Sequence, residues 1–100
     1  MGWANSYIAA LQRGETVSFR PRGHSMKGRI ESGDLVTVAP VDPAQLRKGD
    51  IVLCKVGRSQ FLHLIQARRH GQFLIGNNVG GTNGWIGASS IYGLLVSVEG

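Results

Sequence analysis

Ile51-Val52-Leu53-Cys54-Lys55-Val56-Gly57-Arg58-Ser59-Gln60-Phe61-Leu62-His63-Leu64-Ile65 is the stretch whose reading decides the fold. Ile51–Val56 carries the strongest strand pattern in the chain. Gly57-Arg58 supplies a hairpin turn, and Gln60–Ala67 reads as the returning strand. Downstream, Arg69-His70-Gly71-Gln72 turns again into Phe73-Leu74-Ile75. Asn77 to Gly84 reads as a loop, because Gly76–Ile86 holds four glycines and three asparagines. Ile91–Val98 reads as a closing strand. Upstream, Leu35–Val38 follows a Gly33-Asp34 turn, and Pro40 and Pro43 leave room for one helical turn before Arg47. Val17 and Phe19 alternate with polar neighbours until Pro21 and Gly23 break the strand. Trp3, Tyr7, Ile8 and Leu11 recur at helical spacing, with Gly14 as the stop. The expectation is one mainly β domain over residues 1–100: a small coiled sheet or partial barrel over 14–100, with one short N-terminal helix within 1–13.

Composition narrows the function. A hydrophobic share of 42% and a charged share of 17% suit a folded soluble domain. No apolar run is long enough for a membrane span, and no secretory leader pattern opens the chain, so no membrane anchor is expected. The lone cysteine, Cys54, excludes an internal disulfide framework and a Cys-based zinc site; a reducing, cytoplasmic compartment is the expectation. No metal or cofactor is expected. The net charge of +5 permits attraction to nucleic acid or anionic lipid. Yet the basic residues are scattered outside Arg20-Pro21-Arg22, Arg47-Lys48 and Arg68-Arg69-His70, which argues against nucleic acid as the partner.

Chemistry concentrates at Gly23-His24-Ser25-Met26. The serine follows a strand-breaking glycine and precedes a turn through Lys27-Gly28. A nucleophile needs that placement: an exposed hydroxyl with backbone N–H groups free for an oxyanion. His63, on the returning strand, points away from Leu62 and Leu64 and titrates in the range a general base requires. Lys55 on the neighbouring strand is an alternative base. His24 is adjacent to Ser25, but neighbours on an extended chain point apart.

The order Gly23-His24-Ser25-Met26, Gly33-Asp34, Gly49-Asp50-Ile51-Val52, Phe61-Leu62-His63-Leu64-Ile65, Gly76-Asn77-Asn78 and Ile91-Tyr92-Gly93 resembles the catalytic domain of signal peptidases and self-cleaving LexA-type repressors. The resemblance covers Gly14 to Gly100. It implies the small coiled β fold, Ser25 as nucleophile and His63 as general base, where relatives carry either Lys or His. It also implies an oxyanion and substrate-binding region at Gly23, Ser25 and Met26, and a peptide or protein substrate with small residues near the cut.

This chain departs from the pattern. Leu64 stands where many relatives carry Arg, and Lys27-Gly28 lacks the proline common after Ser-Met in signal peptidases. His-type relatives orient the imidazole with an aspartate just beyond the Gly-Asp-Asn-like turn, whereas Gly76–Asn83 contains no acid. The orienting group is then Asn77, Asn78, Asn83 or a carbonyl, with Asp34 and Asp50 as acidic substitutes elsewhere. The roughly thirteen residues before Gly14 are too few for a DNA-binding domain of the repressor kind. Three functions follow: a soluble serine endopeptidase, including a dedicated maturation or self-processing protease; a catalytically inactive peptide- or protein-binding module; and a nucleic-acid-binding β-domain. A homodimer is left open.

Overall fold

The computed structural model describes residues 2–100. One helix, α1 (Asn5–Gln12), precedes seven strands: β1 (Val17–Phe19), β2 (Leu35–Ala39), β3 (Ile51–Val56), β4 (Ser59–Arg69), β5 (Gln72–Gly76), β6 (Thr82–Gly87) and β7 (Ile91–Glu99). They form one antiparallel, unclosed sheet in the order β1-β2-β7-β3-β4-β5-β6. The expected mainly β class with one short helix is therefore present.

The run Ile51–Cys54 is apolar throughout because both faces of β3 are covered. Ile51 and Leu53 join one core with Val36, Val38, Leu62 and, from outside the sheet, Ile8, Leu11, Met26 and Ile30. Val52 and Cys54 join a second core with Ile65, Phe73, Ile75 and Ile86, which the curl of β3 to β6 encloses. Burial pushes the Cys54 thiol up to about 12, so it behaves as a small hydrophobe. Gly93 lets α1 settle on β7, since a Cβ there would stand 2.7 Å from Val38 Cγ1 and 3.0 Å from Leu11 Cδ2. Phe73 is 1% exposed at the centre of the second core. Phe73→Ala is expected to cost about 3–5 kcal/mol, a large part of the ~5–15 kcal/mol that holds such a domain. The urea midpoint of the variant against the native chain measures it.

The hairpin turn between β4 and β5 falls where expected, with His70 at φ 51° and Gly71 at φ 74°, the left-handed pair of a type I′ turn. The basic group at this turn is largely occupied. Arg68 donates to the carbonyls of Leu46 (2.6 Å) and Ala44 (3.2 Å) and lies over the Phe73 ring, while Arg69 lies over Trp85.

Two expectations need correction. Asn77–Gly84 is not all loop, since β6 begins at Thr82 and pairs with β5. Pairing with an existing edge overrides the weak strand propensity of Asn and Gly. Trp3 also lies outside the helix and outside the core: it is 51% exposed, and Ala4 takes the buried place, fully covered.

Two irregularities shape the sheet's far end. In β4, Ile65 faces Ile75 and Ala67 faces Leu74, so Gln66 is an extra residue. In β6, Gly84 faces Ile75 and Thr82 faces Gly76, so Asn83 is an extra residue. Such bulges bend a strand and re-aim one side chain.

Candidate active site

Ser25 sits in the Arg20–Asp34 excursion between β1 and β2. The chain there makes a helical turn, with the N–H groups of Lys27, Arg29 and Ile30 donating to His24 and Met26 carbonyls at 2.7–3.1 Å. Met26 and Ile30, four residues apart, are both buried in the first core and peg this turn down. Ser25, just before the first peg, is left exposed. Glu31 and Asp34 complete the loop by accepting backbone N–H bonds from Gly28 and Glu31, both at 2.8 Å. The Gly23 N–H is held by Ser32 Oγ at 3.3 Å. Among the described residues, the N–H groups of Ser25 and Met26 donate to no backbone carbonyl.

β4 brings up the imidazole. Leu62 and Leu64 pack into the first core, and His63 projects to the other face beside Phe61. The Phe61 and His63 rings stack with centroids 4.6 Å apart. Ser25 Oγ lies 3.0 Å from His63 Nε2 across thirty-eight positions of sequence, and His63 Nδ1 lies 2.8 Å from Asn83 Oδ1. One tautomer satisfies both contacts: Nδ1–H donates to the Asn83 carbonyl oxygen, and Nε2 accepts from the serine hydroxyl. His63 is 6% exposed, and burial holds its pKa below the usual 6.5, opposed by the weaker effect of the Asn83 bond. The ring is therefore neutral at pH 7 and able to take a proton.

The three asparagines divide the work. Asn83, the bulged residue of β6, reaches the ring. Asn78 clamps the serine turn, its N–H donating to the Ser25 carbonyl at 2.8 Å and its Nδ2 to the Lys27 carbonyl at 2.7 Å. Asn77 folds the intervening turn, its Oδ1 accepting from the N–H groups of Val79 (3.0 Å) and Gly81 (2.7 Å). Asp50, like Asp34, serves its own turn, accepting from the Arg47 N–H at 2.9 Å. Neither acid is the hydrogen-bond partner of the ring. Lys55 and His24 are exposed and line no part of the cavity beside Ser25.

Gln66 escaped the sequence reading. Its Nε2 donates to the Gly81 carbonyl at 2.9 Å and its Oε1 accepts from Thr82 Oγ1 at 2.9 Å, which fixes the turn that delivers Asn83. Gly76 makes room for it, since a Cβ at 76 would collide with the Gln66 amide. Only the bulge gives Gln66 this direction, and no local pattern in a polar-apolar strand announces a bulge. Trp3 was equally hidden: its Nε1–H donates to the Gln60 carbonyl at 3.0 Å, which holds the indole over the cleft.

The cleft beside Ser25 has a volume of about 160 Å³, with Gly23, Ser25, Met26, Phe61, Leu62 and His63 among its walls. A hydroxyl, a neutral imidazole with its far nitrogen anchored, and unengaged N–H groups can together carry out acyl transfer. Among the described residues no helix is long and apolar enough to cross a membrane.

Comparison with known proteins gave no significant match among curated proteins or solved structures. The family model described as Peptidase S24-like matches residues 3–80, a span that contains both Ser25 and His63. A match over that much of the chain assigns it: the protein belongs to the Peptidase S24-like family.

Proposed function

We propose that this chain is a serine endopeptidase in which Ser25 is the nucleophile and His63 the general base. The observation that carries the reading is the relay Ser25 Oγ–His63 Nε2 (3.0 Å) and His63 Nδ1–Asn83 Oδ1 (2.8 Å). As Oγ attacks a peptide carbonyl, its proton passes to Nε2 and the carbonyl oxygen becomes an oxyanion beside the Ser25 and Met26 N–H groups. Collapse breaks the C–N bond, and the imidazolium returns the proton to the departing amine. Water, deprotonated by the same ring, then releases the acyl group from Ser25. The 160 Å³ cleft suits a small side chain next to the cut.

One observation favours a second reading, a peptide-binding module without turnover: Asn83 stands where a carboxylate would stabilise the imidazolium. A fluorophosphonate probe and a mixed decapeptide library separate the two. The peptidase reading expects labelling at Ser25 and cleavage products by mass spectrometry, both lost in Ser25→Ala. Peptide binding with neither labelling nor cleavage establishes the module instead.

A further inference from the structure

A second cavity of about 330 Å³ opens beside the cleft, lined by Trp3, Tyr7, Phe19, Arg20, Pro21 and Arg22. Trp3, Pro21 and Arg22 also line the Ser25–His63 cleft, so the two spaces share a wall. The volume reaches the range of ligand-holding pockets, about 300 Å³ and upward.

Its lining has two chemistries. The first is aromatic. Tyr7 stacks on Phe19 with centroids 4.2 Å apart, and Trp3 tilts against both at 6.4 and 5.7 Å. Trp3 is 51% exposed, yet its Nε1–H bond to Gln60 fixes the ring. An indole held rigid in the open loses little freedom on binding and presents a large apolar face. The second is cationic. Arg20 to Arg29 contains Arg20, Arg22, His24, Lys27 and Arg29 and no acid. The nearest acids, Glu31 and Asp34, are committed to backbone N–H groups. Among the described residues the one salt bridge is Arg13–Glu15, so neither Arg20 nor Arg22 is ion-paired; Glu31 also lines the Ser25 cleft, but its carboxylate accepts from the Gly28 N–H rather than from Arg22. Arg20 is steadied by donating to the Gly33 carbonyl at 2.8 Å.

We propose that this cavity is a docking subsite for an aromatic residue adjacent to an acidic residue in the peptide substrate. The aromatic side chain enters between Trp3 and the Tyr7–Phe19 stack, and the carboxylate meets Arg22 at the wall shared with the cleft. The inference rests on the peptidase reading for the word substrate, but the pocket's preference is a binding property that can be measured without turnover.

The test uses the full chain carrying Ser25→Ala and Trp85→Phe, so that Trp3 is the sole indole. Its fluorescence follows titration with three acetylated, amidated decapeptides of an alanine-serine background. One bears a central Phe-Glu pair, one Phe-Lys and one Ala-Glu. The Phe-Glu peptide is expected to bind at least tenfold tighter than either control, and to weaken as salt rises. Arg22→Glu, at an exposed loop position, is expected to transfer the preference to Phe-Lys. Trp3→Ala, read by calorimetry, is expected to abolish the aromatic preference. Equal affinity for all three peptides overturns the subsite even if Ser25 is labelled by fluorophosphonate. A Phe-Glu preference with neither labelling nor cleavage by the native chain upholds the subsite and removes the peptidase reading.

Discussion

Ser25→Ala and His63→Ala are each expected to lower kcat/KM for a library-derived substrate by about 10³- to 10⁶-fold, and the double variant to lose little more. Under the proposed mechanism the two groups act as one device. Without the hydroxyl the imidazole has nothing to deprotonate, and without the imidazole the hydroxyl is a poor nucleophile at neutral pH. The loss is not a folding effect at position 25. Ser25 is exposed, and its turn is held by Met26, Ile30 and Asn78 rather than by its own side chain. At position 63 the ring stacks on Phe61, so His63→Gln, which keeps most of the volume, is the companion variant. Kinetics on the four proteins decide the matter. Losses that multiply in the double variant, or a fall of less than about tenfold in either single one, would show that these side chains do not act together.

Asn83→Asp is expected to increase activity and move its acid limb. A general base must be neutral, so the rate climbs as pH rises through the pKa of His63. Burial places that pKa below 6.5, so under the proposed mechanism the native acid limb is expected to lie below that value. A carboxylate in place of the Asn83 carbonyl favours the charged ring and raises its pKa, by about one unit at this exposed position out of the 1–3 seen for close charges. The same attraction stabilises the imidazolium that forms during attack. One pKa unit corresponds to about 1.4 kcal/mol, hence about tenfold in kcat/KM on the plateau. The two pH profiles then converge: the variant is faster at pH 8, and its lead shrinks to nothing as pH falls below the pKa of both rings. A limb that stays in place or moves to lower pH contradicts the assignment of Asn83 as the orienting group. The tautomer survives the substitution, because a carboxylate oxygen accepts from Nδ1–H as the amide oxygen does.

Much of this arrangement was legible in the residues. The hairpin Ile51–Ile65 was written in apolar runs around Gly57-Arg58. Ser25 and His63 could be paired because the ordered string of motifs resembles the signal peptidase and LexA-type catalytic domain; the local pattern at either residue alone fits many roles. What stayed hidden depended on register. The helical spacing of Trp3 suggested core, but the indole lies over the cleft because Gln60, fifty-seven positions away, takes its N–H. Strand β6 was concealed by glycine and asparagine, whose local preferences are for turns. The choice among Asn77, Asn78 and Asn83 could not be made locally either, because it turns on which residue is left over when β5 and β6 pair.

That leftover residue has a consequence for how this chain can diverge. Side chains along a strand swap sides at every step, so one surplus position shifts the phase of everything beyond it. Surface connections ordinarily absorb insertions and deletions with little penalty. The segment from Gly76 to Gly84 is exempt: losing or gaining a single residue there would swing the carboxamide away from the imidazole while every amino acid of the relay stayed in place.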